Sequence, residues 1–453
     1  MLQHPLLVAP IGRTILRLAA PNVMAMLATL ATSMAEVWYV GHMGTAALAG
    51  LALAFPMYML NLMIAAGSMG GAVSGAIAQR LGANDRAGAE ALAFHALVLA
   101  AVLSLVASAI FLTLGPRIYG ALGGQGAVLE QALAYSGALF AGCITLWLAK
   151  TLAGIVRATG RMGVSARLLM TGSAVQVVVA GALVFGIGPL PALGIAGAAA
   201  GAVAGFGVST LLLLHFLIRR CPELTLRLSG IPLRLSVFAD LLRVGALASI
   251  SPFTSIGTVL AITGLVARLG PDALAGYGIG ARLEFLMIPL VFGFGAATIT
   301  MVGVHFGARA YGRGHRIAWT AAGMSALMTG AIGGLMALFP GLWADLFTDV
   351  EAVRETCRLY LRIAGPFYAL FGFGQCLYFA SQGARRMLWP VIGSLLRFLT
   401  VVAGGAVLVA QGGLEAEGIF HLIVLSLVAY ATVTAVAIWR GAWMRGVVAV
   451  PAQ

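Results

Sequence analysis

The sequence predicts an all-α polytopic membrane protein, with about twelve transmembrane helices in two pseudo-symmetric six-helix lobes around a central cavity. Three observations lead there. The first is composition: 61% of the 453 residues are hydrophobic and 9% are charged, whereas a water-exposed domain carries about 25% charged residues. Such a chain cannot cover itself with polar groups. The second is a succession of apolar runs of about 20 residues or more, the length that crosses a hydrocarbon core as a helix. The third is an internal repeat spanning about half the chain.

The runs, in order, are 14–40, 47–79, 91–114, 129–153, 164–187, 193–218, 240–267, 273–306, 317–339, 356–380, 388–410 and 418–440. The preceding MLQHPLLVAPIGR is too short and too weakly basic for a secretory signal, so the first run is read as a retained helix. Two runs contain small-residue stripes, GSMGGAVSG (67–75) and GAAAGAVAG (197–205). Within a bilayer such stripes let helix backbones approach, and close packing is the expected role.

Loop charge sets the orientation. Arg13, Arg17, Arg80, Arg86, Arg157, Arg161, Arg167, Arg219, Arg220, Arg227, Arg234, Arg309, Arg313, Arg316, Arg385, Arg386, Arg440 and Arg445 fall on one side. Opposite them lie mainly Arg117, Arg268, Arg354, Arg358 and Arg362, diluted by Asp272, Asp345, Asp349, Glu351, Glu355, Glu415 and Glu417. Cytoplasmic loops collect Arg and Lys, so both termini are expected in the cytoplasm of a cell with the protein in its inner membrane. The net charge of +13 is thereby a loop property. No basic face on a soluble fold is present, and no nucleic-acid partner is expected.

The repeat is explicit. MGTAALAG (43–50) recurs as LGPDALAG (269–276), RLGANDRAGA (80–89) as HFGARAYGRG (305–314), and RATGRMGVSARLL (157–169) as ASQGARRMLWPVI (380–392). The offset stays at about 225 residues. Each half then holds six spans in the same orientation, related by an axis along the membrane normal with a cavity between them. The expected division is a first lobe over 1–218, a cytoplasmic linker over 219–239 and a second lobe over 240–453. A monomer surrounded by membrane lipids is the expected assembly.

No catalytic constellation is expected, nor a metal or cofactor site. Cys143, Cys221, Cys357 and Cys376 lack metal-ligand spacing. GARAYGRG lacks the strand-to-helix setting of a dinucleotide fingerprint. His42 lies at an outer helix end and His315 in a basic inner loop, and His95, His215, His305 and His421, within or at the ends of apolar runs, are expected as structural hydrogen-bonders. Ionisable groups inside spans are the informative set, because a charge in hydrocarbon is costly. Lys150 is expected to snorkel from a helix end. Arg282 and Glu284 lie inside span 8, two residues apart, so they do not share a helix face; one is expected to face the cavity and the other to pair with another helix.

Glu36 is the sharpest signal. It stands in the outer part of span 1, above a polar stripe of Ser33, Thr32 and Thr29. Pro21 lies about fifteen residues earlier, about 22 Å along the helix, and is expected to act as a kink or hinge.

The motifs PNVMAM…EVWYVGHMGTAALAG, QRLGAND, GIVRATGRMG, LGIAGAAAG and ALAGYGIGARLEFLMIPLVFGFGAATITMVGVHFGA, in this order over nearly the whole chain, resemble the multidrug and toxic compound extrusion (MATE) family, in its DinF-like branch. The resemblance implies an efflux antiporter of two lobes, exporting cationic or amphipathic small molecules while protons or sodium ions enter. It also implies that the helix 1 acid, here Glu36, is the coupling residue. The Asn and Asp that many relatives carry in helix 5, and the Thr in helix 6, fall on Gln176, Ala180 and Ala202. Sodium needs several oxygen ligands to replace its water, and few remain. A lone carboxyl can still hold a proton, so proton coupling is expected in preference to sodium, with Glu36 assisted by Gln176, Thr32 and Ser33.

The second half offers no equivalent acid: position 262 is Ile, and SISPFTSIGTVLAITG carries only hydroxyls. Glu284 is the candidate for a second acid. Tyr39 and Met63 are expected in a first-lobe cavity, and Arg282, Glu284, Met287 and Tyr378 in a second-lobe cavity, with Met59, Tyr58, Tyr277 and Phe285 as further lining candidates. The alternatives are a lipid-linked sugar flippase of the same superfamily, which would want a strongly cationic cavity, and a non-transporting membrane scaffold.

Overall fold

The computed structural model describes residues 5–227, 230–412 and 414–444; Arg445 lies outside them. Among the described residues the chain is helical with no strand. Eleven helices are long and apolar enough to cross a membrane, and twelve spans result when one bent pair is counted as a span. They are α1 (Ile11–Gly41), α2 (Thr45–Gly82), α3 (Arg86–Ala121), the bent α4 (Gly126–Ala141 with Cys143–Ala158), α5 (Met162–Phe185), α6 (Ile195–Arg219), α7 (Leu235–Ala267), α8 (Pro271–Gly307), α9 (Tyr311–Leu338), α10 (Glu351–Gly383), α11 (Leu388–Ala410) and α12 (Ala416–Trp439). The 52° bend of α4 falls at Gly142, where Val203 of α6 occupies the place a side chain would take.

The repeat survives in backbone detail. Gly44 and Gly270, before α2 and α8, share φ 108°. Asn84 and Arg309, after the same two helices, adopt left-handed φ values of 62° and 58°. Gly160 and Arg385, after α4 and α10, do likewise at 83° and 58°. One residue breaks the register: α2 has 38 residues and α8 has 37. A π-helical turn, Met63–Met69, interrupts α2, and a π turn is the usual signature of one residue inserted into an α-helix. Before that turn, Tyr58 therefore corresponds to Glu284; after it, Gly82 corresponds to Gly307.

The small-residue stripes pack helices, as expected. Gly197, Gly201 and Gly205 of α6 lie against Leu183, Ala180 and Gln176 of α5. Gly71 and Gly75 of α2 lie against Gln382 of α10, in the other half. Backbone approaches between the halves fall on the Arg-rich end of the helices. Gly82 meets the Val304 carbonyl, and its counterpart Gly307 meets the Gln79 carbonyl, the counterpart of Val304. Gly75 meets the Gln382 carbonyl, and in the mirrored pair the Thr300 hydroxyl donates to the Arg157 carbonyl at 3.1 Å. Gln79 Nε2 donates to Gly383 O at 2.8 Å, and Gln382 Nε2 to Gly67 O at 3.0 Å. Two copies of one glycine-and-carbonyl contact thus close one end of the molecule around a pseudo-two-fold axis.

The polar segment between α6 and α7 is tied to the first half. Arg161 donates to both oxygens of Glu223 at 2.8 and 2.9 Å. Partial burial raises the Glu223 pKa, but the Arg161 guanidinium, a backbone amide and Cys221 together hold the carboxyl below its ordinary value. Arg86 reaches Thr225, Glu90 accepts from the Thr225 amide, and His95 Nε2 accepts from the Arg234 amide. At the opposite end, Arg354 and Arg358 pair with Asp345, Asp349 and Glu351, so the basic excess stays on the glycine-sealed side.

A Gly307→Val substitution places a side chain against the Gln79 carbonyl and should open the sealed end. A cysteine replacing the buried Ala78 should then label several-fold faster with a thiol reagent; an unchanged rate would show that these contacts do not hold the seal.

Candidate functional site

Glu36 is 7% exposed, on the face of α1 that packs into the first half. Its Oε1 has no hydrogen-bond partner. The polar groups around the carboxyl are tyrosines: Tyr135 of α4 and Tyr58 of α2. Tyr119 of α3 stands next to Tyr135, with Ser136 beside its hydroxyl. All three rings are buried. Four helices therefore enclose one carboxyl and three phenols, and no salt bridge reaches the carboxyl among the described residues. An unpaired carboxylate in such a place is expensive, and the protonated acid much less so.

The helix stripe below Glu36 behaves differently from expectation. Thr32 and Thr29 donate to the Ala28 and Ala25 carbonyls of their own helix, at 2.8 and 3.0 Å, so these hydroxyls are spent on the backbone. Ser33 is half-buried. Gln176 is buried on α5 against Gly205, and no hydrogen bond joins it to Glu36. Tyr39 packs on Gly181 and edge-on to Phe185. Met63 opens the π turn and is half-buried.

Pro21 sits inside an unbroken α1. It removes the amide that would bond to the Arg17 carbonyl, which weakens the helix there. Gly163 of α5 and Gly293 of α8 pack around this turn, the latter against Ala19 and Val23. Asn22 Nδ2 donates to Leu18 O at 3.3 Å.

In the second half, Arg397 Nη2 of α11 donates to Glu284 Oε1 at 3.1 Å, with side chains 12% and 22% exposed. Glu284 occupies the place that Tyr58 holds in the first half. Tyr360, the counterpart of Tyr135, is near it, with Tyr277 and Tyr368. Each half therefore holds one acid among tyrosines, at non-equivalent positions, and among the described residues only the second supplies a cation. Arg282 is exposed and stacks over Phe347 at 5.6 Å; Glu284, not Arg282, is the member that pairs across helices. Of the second-lobe cavity candidates, Met287 is fully buried, and Tyr378 is 3% exposed with its hydroxyl donating to Ala248 O at 2.9 Å. Both fill helix contacts in this conformation, because apolar and aromatic side chains serve packing as readily as a cavity wall. Tyr58 and Tyr277 are buried likewise, while Phe285 is 54% exposed.

Lys150 does not snorkel. It is 6% exposed and lies over the Phe206 ring at 5.1 Å. Arg157, expected in a loop, is 5% exposed and lies over Phe292 at 5.7 Å. Neither has a carboxylate partner among the described residues. The histidines that form hydrogen bonds do so structurally: the Nδ1 atoms of His42, His95, His305 and His421 each meet a carbonyl one turn back. Among the described residues no group of three or more metal-ligating side chains occurs.

The chain matches MatE over residues 21–181 and 249–407. It is 30% identical to a probable multidrug resistance protein NorM of Deinococcus radiodurans, covering 90% of each chain. It is 24% identical to a NorM of Thermotoga maritima, over 87% of this chain and 84% of that one. A transporter of the MOP superfamily from Pyrococcus furiosus has the same fold, with a TM-score of 0.89, 23% identity and coverage of 98% and 99% of the two chains. An outward-facing multidrug resistance MATE transporter superimposes with a TM-score of 0.89 at 23% identity, over 99% of both chains.

A buried pair that loses one partner leaves the other charge uncompensated. Glu284→Gln should therefore destabilise the fold by about 3 kcal/mol, and Glu284→Gln with Arg397→Gln by less. Equal losses in thermal unfolding would show that the pair is not coupled.

Proposed function

The chain belongs to the MatE family, and on that premise we propose that it is a proton-coupled multidrug efflux antiporter, exporting cationic or amphipathic small molecules across the bacterial inner membrane. The single observation that carries the coupling assignment is Glu36: a buried carboxyl with one oxygen lacking any hydrogen-bond partner, among tyrosines and away from any cation. Loss of the other oxygen ligands supports a proton over sodium, since Ala180 and Ala202 have no donor atoms to offer and Gln176 makes no bond to Glu36. A proton needs one carboxyl and a nearby acceptor or donor, which Tyr135 and Tyr58 supply.

The Arg-rich end is closed by the glycine contacts, and by the loop-charge rule that end faces the cytoplasm. In the proposed cycle this conformation is the outward-open one. Glu36 takes a proton from outside, its charge disappears, and the contacts with Tyr135 and Tyr58 rearrange. Helix α1, weakened at Pro21, follows, and the Gly82 and Gly307 contacts part. Release of the proton to the cytoplasm restores the charge and allows a cationic substrate to bind. One charge crossing 100 mV is worth about 2.3 kcal/mol, which suffices to bias such a cycle. The second lobe fits a substrate-facing role better than a strongly cationic cavity, because Arg397 is neutralised by Glu284 and Arg282 stacks outside.

Glu36→Gln should insert and fold yet lose proton-driven efflux of cationic dyes from reconstituted vesicles, at least tenfold in rate. Glu36→Asp should retain part of it. Wild-type efflux should persist without sodium and collapse with a protonophore. Normal efflux by Glu36→Gln, or a strict sodium requirement, would overturn the assignment.

A further inference from the structure

We propose that the first lobe binds amphipathic organic acids, compounds that join a carboxylate or phosphate to an apolar body, with the acid group held by Lys150 and Arg157. The proposal names a substrate class for the transporter reading and does not rest on Glu36 as the coupling residue.

Lys150 is the chain's single lysine; all the rest of its 27 Lys and Arg residues are arginines. The loops thus use guanidinium throughout, while the one compact ammonium, a point charge with three rotatable donors, is set inside span α4. Lys150 and Arg157 are two helical turns apart on one face of α4, about 10 Å along its axis. Gly154 stands between them and packs on Gly70 of α2. The two charges are close enough to act on each other. The residues are 6% and 5% exposed, yet their charged nitrogens keep contact with solvent, and none of them donates a hydrogen bond among the described residues.

No acid balances them. Of the buried carboxyls in the first lobe, Glu90 is paired with Arg86 at 2.9 Å. Glu36 stands by Tyr135, fifteen residues back along α4, about 20 Å along the helix. Phe206 and Phe292 cover the cations at 5.1 and 5.7 Å. Aromatic faces attract a cation but leave its charge unpaired, and they offer apolar surface beside it. An anionic group attached to an apolar body matches both features, whereas a second cation would be repelled.

The repeat supplies an internal comparison. The spans α4 (126–158) and α10 (351–383) correspond residue for residue, which sets Gln375 opposite Lys150 and Gln382 opposite Arg157. Both amides are engaged within the protein: Gln375 Oε1 accepts from Tyr430 at 3.0 Å, and Gln382 Nε2 donates to Gly67 O at 3.0 Å. The second half therefore fills these two places with neutral groups that have protein partners, and the first half with cations that have none. Access follows from the seal. Phe292 belongs to the other half, as does Thr300, whose hydroxyl donates to the Arg157 carbonyl. Parting of the halves at the Arg-rich end uncovers Arg157 and opens a path to Lys150.

The test uses the full chain in lipid nanodiscs and a small neutral acylating reagent. Lys150 is the only side-chain amine, and its acylation is read by peptide mass spectrometry. Naphthoate or naphthyl phosphate should slow the reaction several-fold and saturably, while naphthylmethylammonium and inorganic phosphate should not. Arg157→Gln should raise the naphthoate concentration required by about tenfold, the loss of one hydrogen-bonded charge. Naphthoate should also raise the unfolding temperature of wild type but not of Lys150→Gln/Arg157→Gln; if that variant does not fold, protection of wild-type Lys150 decides. No protection by either acid, equal protection by the ammonium compound or by inorganic phosphate, unchanged affinity in Arg157→Gln, or equal stabilisation of the double variant would each overturn the proposal. These measurements read binding. Absence of any efflux would overturn the transporter reading and leave protection of Lys150 in place, so the two failures are distinguishable.

Discussion

A carboxyl shut among apolar helices has two routes to neutrality: a cation or a proton. The two halves of this chain differ in what they offer. Glu284 has Arg397 at 3.1 Å, whereas Glu36 has only tyrosine hydroxyls and one oxygen with no partner. The asymmetry is what separates a structural ion pair from a group whose charge can change, and the proposed transport cycle rests on it.

The repeat creates the closure, whereas the two acids stand at non-equivalent positions of it. Gly82 and Gly307 each admit a carbonyl from the other half, and a side chain at either position would push the halves apart. The glycine contacts themselves contain no ion pair, although the buried Arg157 lies beside them over Phe292 of the other half. The elements joining closure to Glu36 are α1 and α2, with Pro21 in the first and the π turn in the second.

The architecture was largely legible in the sequence because it follows from length and periodicity. The spans, the offset of the halves and the packing role of GSMGGAVSG all rest on local pattern. Glu36 was legible because an acid in hydrocarbon has no bland reason to be there. Its surroundings were not. Tyr58, Tyr119 and Tyr135 read as ordinary members of apolar runs, and their convergence depends on three helices meeting far apart in sequence. Thr32 looked like a partner by helical spacing, yet its hydroxyl is satisfied one turn back. The correspondence of Tyr58 with Glu284 was hidden by the residue that the π turn inserts. Lys150 and Arg157 looked like interfacial cations because position within a span was visible but rotation of the helix was not.

Proton release on substrate binding tests the central claim most directly. With purified protein in weakly buffered detergent solution near neutral pH, a cationic substrate should displace about one proton per molecule bound from wild type and none from Glu36→Gln, since binding linkage is reciprocal. Substrate binding without proton release, or equal release from the variant, would contradict the assignment of Glu36 as the coupling acid.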